Sequence, residues 1–555
     1  MLRFLFLGFF YVIALSGCQT KVVPQSAIAS AHPLATAAGL EMLAQGGNAF
    51  DAAVAVSATL AVAEPYGSGL GGGGFYLLHR EADGRQIFLD ARETAPSLAT
   101  ATMYLDKKGE VVPQRSTDGP LAAGIPGVPA AWVKLSKDYG KLALSQTLAP
   151  AIRIAREGFT VTTQYQQMAK FRLPALRASA AARAIFLDNS EVPPLDSKII
   201  QTDLANTLQR LSDLGGAGFY QGETAAQLIQ GVQAGGGIWN SEDLKSYTTR
   251  DRLPIVFSYR GFRIVSAPPP SSGGIALAEM LNMLSQFEHT PLAAEKRNHV
   301  MIEVMRRAYR DRAEFLGDPD FVNIPQQKLV SMAYAKDTAM SISLEDATPN
   351  SSLPPVIAPI VQGHHTTHFS IIDTAGNRVA ATLSLNLPFG SGFVAPGTGV
   401  LLNNEMDDFV AKPGAPNAYG LVGAQANGIE PGKRMLSSMT PTFVESKERI
   451  AILGTPGGSR IITMVLAGVL AVVENKTAQQ IVSQPRFHHQ YLPDLVQYEK
   501  GVFDDEQLTQ LQLLGHNVQQ VANPYGNMQI VIWDKIKNHV SAASDPRGEG
   551  QAMVK

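Results

Sequence analysis

The sequence predicts an α+β fold built in layers, with a mostly helical middle region, and three stretches carry that prediction. Residues 32–80, HPLATAAGLEMLAQGGNAFDAAVAVSATLAVAEPYGSGLGGGGFYLLHR, read as helix, Gly-Gly break, second helix, glycine-rich turn and strand. The middle of the chain carries apolar residues at helical spacing. From Thr366 onward the pattern becomes β, with TTHFSIID and RVAATLSLN flanking TAGN. At 555 residues, 45% hydrophobic and 17% charged, the chain suits an ordinary folded protein with a large core, either several domains or one large layered domain. Its formal net charge of −2 gives no global field favouring nucleic acid or an anionic membrane.

Taken in order, the first element is an export signal. MLRFLFLGFFYVIALSGCQT has one basic residue, Arg3, then an apolar run from Phe4 to Leu15 and small residues. The ending LSGC resembles a lipoprotein box, which makes residues 1–17 a signal peptide and Cys18 the lipid-bearing first mature residue. Cys18 is the only cysteine, so no internal disulfide can use it. Gln19 does not look like an inner-membrane retention signal. The expectation is an exported protein on the periplasmic side, lipid-anchored to the outer membrane of a Gram-negative bacterium.

Asn48 and Asp51 make a capping-box start for the second helix, and AAVAVSATLAVA, apolar on all sides, predicts a helix buried between layers. FYLLH and QIFLDARE read as core strands. SQTLAPAIRIAREG places Leu148, Ala151, Ile152 and Ala155 on one helix face and Gly158 at the C-cap. GGIALAEMLNMLSQF and HVMIEVMRRAYRDRAEFL are further helices, the second with Arg306, Arg307, Arg310 and Arg312 read as a solvated face. Residues 345–363 break the order, because Pro349, Pro354, Pro355 and Pro359 rule out helix and central strand. A structureless stretch there reads as functional or as a linker. After it, a three-residue loop, Thr374 to Gly376, closes a tight hairpin. That register sets Ser384 opposite Thr366 and Asn386 one same-face step further on, and a one-residue slip turns both away.

A threonine hydroxyl needs a base, and a chain-terminal threonine supplies its own α-amine, whose pKa is near 8. Thr366 gains that amine only if the His365–Thr366 bond is cut. Elsewhere, LLNNEMDDF puts Glu405 and Asp408 on one side of a turn, fit to hold an ammonium group or merely to cap the turn. KRMLSSMTPT offers the Ser437 and Ser438 hydroxyls. GTPGGSR offers bare backbone N–H groups at Gly457 and Gly458, an oxyanion hole or a tight turn. Arg92 follows a core strand, where it can clamp a carboxylate or pair with Glu93. His364, His365, His488 and His489 fit a processing site and a structural turn better than a metal site.

With these motifs in view, TTHFSIID, LNNEMDDF, RMLSSMTPT and GTPGGSRI resemble the γ-glutamyltransferases (γ-glutamyl transpeptidases), across nearly all of the mature chain. The resemblance implies an N-terminal-nucleophile hydrolase with a four-layer αββα sandwich. It implies a precursor that cuts itself into a large subunit, 18–365, and a small one, 366–555, which together form one domain. It implies Thr366 as autoprocessing residue and nucleophile, with Thr367 and Ser384 holding its hydroxyl and amine. Asn386, Glu405 and Asp408 are implied as binders of the α-ammonium of a glutamyl group, and Arg92, Ser437 and Ser438 as binders of its α-carboxylate. Gly457 and Gly458 are implied as oxyanion donors, and AKPGAPNAYGLVGAQANG as a lid. The family usually has Thr where this chain has Ser384. Implied substrates are glutathione, related γ-glutamyl compounds and acceptor amino acids, with no metal or organic cofactor. Rival readings are a glutaryl-β-lactam acylase, a poly-γ-glutamate depolymerase, or an unprocessed lipoprotein that only binds its ligand.

Overall fold

A computed structural model describes residues 22–349 and 366–555. Cys18, His364, His365 and most of the proline-rich stretch therefore lie outside the described residues. Two antiparallel sheets stack face to face. One has seven strands, in the spatial order Gln551–Val554, Ala27–Ser30, Thr367–Ile372, Arg378–Ser384, Gly73–Arg80, Arg85–Ala91, Arg250–Arg252. The other has six, in the order His539–Ser544, Gln529–Asp534, Arg449–Gly454, Thr442–Glu445, Phe262–Ser266, Ile255–Tyr259.

Period-two alternation builds the layers. In Gly73–Arg80, Phe75 and Leu77 enter the core shared with the second sheet, while Tyr76 and Leu78 face the helices outside the first. Burying one such side chain is worth about 1.5–3 kcal/mol. Helices Pro33–Ala44, Ala49–Ala63, Leu144–Glu157 and Thr202–Leu214 cover the first sheet. Helices Gly273–Ser285, Ala294–Phe315 and Ile461–Val473 cover the second. This is the four-layer αββα sandwich, and the chain between Ala91 and Arg250 is mostly helical, as expected.

The Ala49–Ala63 helix is buried at all fifteen positions. Its polar residues are Asp51 at the start and Ser57 and Thr59 at the middle, with Ser57 Oγ accepting from Trp132 Nε1 at 2.7 Å. Asn48 Oδ1 accepts from Phe50 N and Asp51 N, and Asp51 accepts from Asn48 N at 2.9 Å. Asp51 also accepts from the backbone of Lys141 and Leu142, so one carboxylate ties the helix to the loop ahead of the next. The hairpin takes the expected register, with Leu383 opposite Thr367. Asp373 N donates to Asn377 O across a three-residue loop in which Gly376 has φ +96°.

The arginine face of the Ala294–Phe315 helix departs from expectation. Arg306, Arg307 and Arg312 are buried, and only Arg310 reaches solvent. Glu303, one turn back, receives Arg306 Nε at 3.0 Å and Arg307 Nη1 at 2.5 Å, so two of the charges enter the interior already paired.

Replacing Asp51 by Ala strips acceptors from three backbone N–H groups and is expected to cost about 2–4 kcal/mol. The check is a lower urea midpoint than wild type, with Asp51→Asn recovering part of it.

Candidate active site

One end of the sandwich gathers the chemistry. Thr366 precedes its strand, Ser384 ends the neighbouring strand, Arg92 follows Arg85–Ala91, and Gly457 and Gly458 follow Arg449–Gly454. Pairing within the first sheet and stacking of the second sheet on it bring these strand ends together.

Thr366 is 5% exposed and has φ +97°, an unfavourable conformation for a β-branched residue. Its Oγ1 lies 3.1 Å from Ser384 Oγ. Ser384 Oγ also accepts the Asn386 N–H at 2.8 Å, and its hydroxyl lies against Glu405. These contacts hold the rotamer of a serine, which has no branching methyl to fix it. Asn386, at φ +75°, donates from Nδ2 to Asn404 O.

The two carboxylates lie on a 3₁₀ turn, Glu405–Asp408, and Arg92 binds both: Nη1 to Glu405 at 2.6 Å and Nη2 to Asp408 at 2.5 Å. Its Nε donates to Met435 O, so every face of the guanidinium is engaged. Burial works against the charge on Arg92, but Glu405 and Asp408 outweigh it and hold its pKa above the ordinary value. Burial pushes the Glu405 carboxyl up to about 7, against the pull of Arg92. Burial likewise raises Asp407 to about 6 and Glu93 well above the carboxylate range.

Ser437 and Ser438 line the same cavity, about 300 Å³ including the part open to solvent, as do Thr366, Ser384, Asn386, Glu405, Asp408, Arg92 and Gly458. Gly457 and Gly458 have φ +141° and +58°. A Cβ on Gly458 would meet the Tyr419 ring at 2.4 Å, so glycine is required there.

Thr367 is the exception. It shares parity with Phe369 and Ile371, which face the helix layer. Its side chain sits beside Glu64 at the end of the Ala49–Ala63 helix, outside the cavity lining. Burial raises the Glu64 carboxyl to about 8, with Thr367 pulling the other way. His488 and His489 are hydrogen-bonded to Thr463, Gln490 and Asp494, as suits a structural turn.

Two contributors escaped the sequence reading. Tyr419, inside the proposed lid, donates its hydroxyl to Asn386 O at 2.7 Å and packs on Gly458. Arg312 reaches Ser438 from behind. Tyr419 sits in a loop without periodicity, and Arg312 in a run that reads as surface.

A search against known proteins agrees with this geometry. The family model for Gamma-glutamyltranspeptidase matches residues 35–555. The chain is 40% identical over 528 residues to the glutathione hydrolase proenzyme of Escherichia coli K12, covering 94% of this chain and 90% of the relative. To that of Pseudomonas aeruginosa it is 39% identical, covering 100% and 99%. Among solved structures, a cephalosporin acylase from Bacillus halodurans superposes with a TM-score of 0.83 at 27% identity, covering 96% of each chain. A γ-glutamyltranspeptidase from Helicobacter pylori superposes with a TM-score of 0.57 at 40% identity, covering 60% of this chain and 97% of that one. With its fold, its site and these matches in agreement, the chain belongs to the γ-glutamyltranspeptidase family, enzymes of the N-terminal-nucleophile hydrolase type.

Proposed function

We propose that this enzyme is made as a precursor, cleaves itself between His365 and Thr366, and then transfers the γ-glutamyl group of glutathione and related amides to water or amino acids. The observation that carries the reading is that one cavity holds a strained threonine beside Ser384, two carboxylates, an arginine, two serine hydroxyls and a glycine turn.

In the precursor Thr366 has no free amine. The proposed relay runs from Thr366 Oγ1 to Ser384 Oγ, 3.1 Å away, and on to the neighbouring Glu405 carboxyl. The hydroxyl proton passes along it as Oγ1 attacks the carbonyl of residue 365. The C–N bond breaks, the nitrogen takes up a proton, and water hydrolyses the resulting ester to leave two chains. Relief of the positive φ at Thr366 favours this step. In the mature enzyme the new α-amine is the base. It takes the Oγ1 proton as Oγ1 adds to the γ-carbonyl, while the backbone N–H groups of Gly457 and Gly458 hold the oxyanion. It then gives the proton to the departing amine, leaving a glutamyl ester that water or an amino acid resolves.

Asn386, Glu405 and Asp408 would hold the α-ammonium, and Arg92, Ser437 and Ser438 the α-carboxylate. Thr367 acts from the opposite face of its strand, supporting the position of Thr366. A second reading, acylase activity on glutaryl amides, is favoured by the match to the cephalosporin acylase and by 35% identity to an acylase proenzyme of Pseudomonas sp. V22. A glutaryl group lacks the ammonium that Glu405 and Asp408 would bind, which favours the γ-glutamyl substrate. Among the described residues no helix is long and apolar enough to cross a membrane. We further propose that export and a lipid on Cys18 place the enzyme on the periplasmic side of an outer membrane.

Edman sequencing of the smaller band is expected to read Thr-Thr-His-Phe-Ser, and Thr366→Ala to leave a single chain. A split at that bond in Thr366→Ala sinks the self-cleavage claim. Because burial pushes the Glu405 carboxyl up to about 7 and it relays only when ionised, processing of cell-free translated precursor is expected to accelerate from about pH 5 to about pH 8 and level off above. A flat profile from pH 5 to 7, or one unchanged in Glu405→Gln, contradicts the relay.

Asp408→Asn is expected to lower kcat/KM for a γ-glutamyl anilide relative to a glutaryl anilide by about tenfold, the worth of one ion pair. An unchanged ratio removes the ammonium assignment. For the anchor, Cys18→Ala is expected to move activity from the membrane to the soluble fraction, and retention on the membrane rejects the lipid site.

A further inference from the structure

Three arginines of the Ala294–Phe315 helix are buried, and only two of them share a carboxylate. Arg306 and Arg307 converge on Glu303. Arg312, 5% exposed, has no carboxylate within ion-pair distance among the described residues. Its partners are neutral hydroxyls: Nε donates to Ser272 Oγ at 3.0 Å, and Nη2 reaches Ser438 Oγ at 3.4 Å. Ser272 in turn donates to Ser437 O from its backbone N and from its hydroxyl, each at 2.8 Å. One guanidinium thus braces both members of the Ser437–Ser438 pair from the side away from the cavity. A buried cation without a counter-charge is costly, and an arriving anion offsets that cost.

The charge balance across the cavity points the same way. Arg92 is the cation that lines it, and both its terminal nitrogens are taken by Glu405 and Asp408. The two carboxylates on that wall suit an ammonium. The serine wall suits a carboxylate, because Ser437 Oγ already accepts from Met439 N and Ser438 Oγ from Arg312. Each hydroxyl therefore has its proton free to donate forward, and a hydroxyl that accepts from a charged donor is polarised into a stronger donor itself.

We propose that Arg312 is a positioning residue for the substrate's α-carboxylate. Through Ser438 and Ser272 it adds positive charge to that of Arg92, which Glu405 and Asp408 partly neutralise. The inference rests on the γ-glutamyl reading for the presence of that carboxylate. A glutaryl group carries a carboxylate at the corresponding carbon, so the role holds for either acyl donor.

The test compares γ-glutamyl p-nitroanilide with its α-carboxamide analogue, which keeps the ammonium and loses the negative charge. Fully processed Arg312→Gln is expected to raise KM for the carboxylate donor about tenfold, with kcat changed less than about threefold and KM for the carboxamide nearly unaltered. Equal KM losses for both donors mark a merely structural role and overturn the proposal, as does an unchanged KM for the carboxylate donor. Arg312→Lys keeps a charge but cannot hold Ser272 and Ser438 together, so it is expected to reduce the carboxylate preference about threefold. If Arg312→Gln does not yield folded, processed enzyme, that ratio in Arg312→Lys decides, and an unaltered ratio overturns the proposal. Wild-type enzyme that hydrolyses neither anilide counts against the γ-glutamyl reading itself, a result distinct from failure of the Arg312 role.

Discussion

The organisation of the site depends on one buried ion cluster, Arg92 held between Glu405 and Asp408. It joins residues more than three hundred positions apart, from the end of a strand in the first sheet to a 3₁₀ turn in the second half of the chain. Breaking a buried pair by removing one partner costs about 3–5 kcal/mol, because it leaves an uncompensated charge. The same turn anchors the loop above the cavity. Asp408 Oδ1 accepts from Asn417 Nδ2, and Asp407 Oδ2 accepts from Ala418 N. Tyr419 follows directly and closes against Asn386 and Gly458. Ion pairing, lid position and the glycine turn are therefore one mechanical unit.

The cluster also sets the protonation of its surroundings. Glu93 and Glu405 crowd the single guanidinium, and burial penalises every negative charge there. Burial pushes the Glu93 carboxyl well above the usual range; neither oxygen is hydrogen-bonded, and its Oε2 lies 3.6 Å from Arg92 Nη1. Glu405, at about 7, is left divided between two forms. A group poised in this way can take a proton from Ser384 during processing and still face a cation afterwards. The low dielectric that makes Arg92 costly to bury is what brings Glu405 into the working range.

Much of this was legible in the sequence. The run from Ala52 to Ala63, without a charge on any side, reads as a buried helix, and the Asn48–Asp51 box marks its start. The TAGN loop set the hairpin, and the hairpin set Ser384 against Thr366. What could not be read was burial created by distant packing. Arg306, Arg307 and Arg312 look like a wet face because charge is the local signal, although Glu303 at i−3 and i−4 foreshadows the pairing of two of the three. Nothing local to Arg312 announces Ser272 and Ser438, which arrive through tertiary contact. The mutual pairing of Arg92 with Glu405 and Asp408 is hidden for the same reason: in sequence each reads as a partner for an opposite charge on a substrate, and in the fold they satisfy one another.

Strand parity explains why two adjacent threonines cannot share one role. Successive strand residues point to opposite faces, so Thr367 joins Phe369 and Ile371 toward the helix layer, while His368 and Ser370 face the second sheet. Thr366 stands just ahead of the strand, where positive φ turns its hydroxyl toward Ser384 at the mouth of the cavity. On the far face the Thr367 hydroxyl meets Glu64, whose burial keeps it largely protonated at neutral pH. A neutral acid there lets the strand end pack against the buried helix without leaving a bare charge behind the reacting residue. The pair is thus divided by the pleat itself. One threonine is presented to chemistry, the other is packed against the scaffold, and a register slip of one residue would exchange them and leave Ser384 facing the helices.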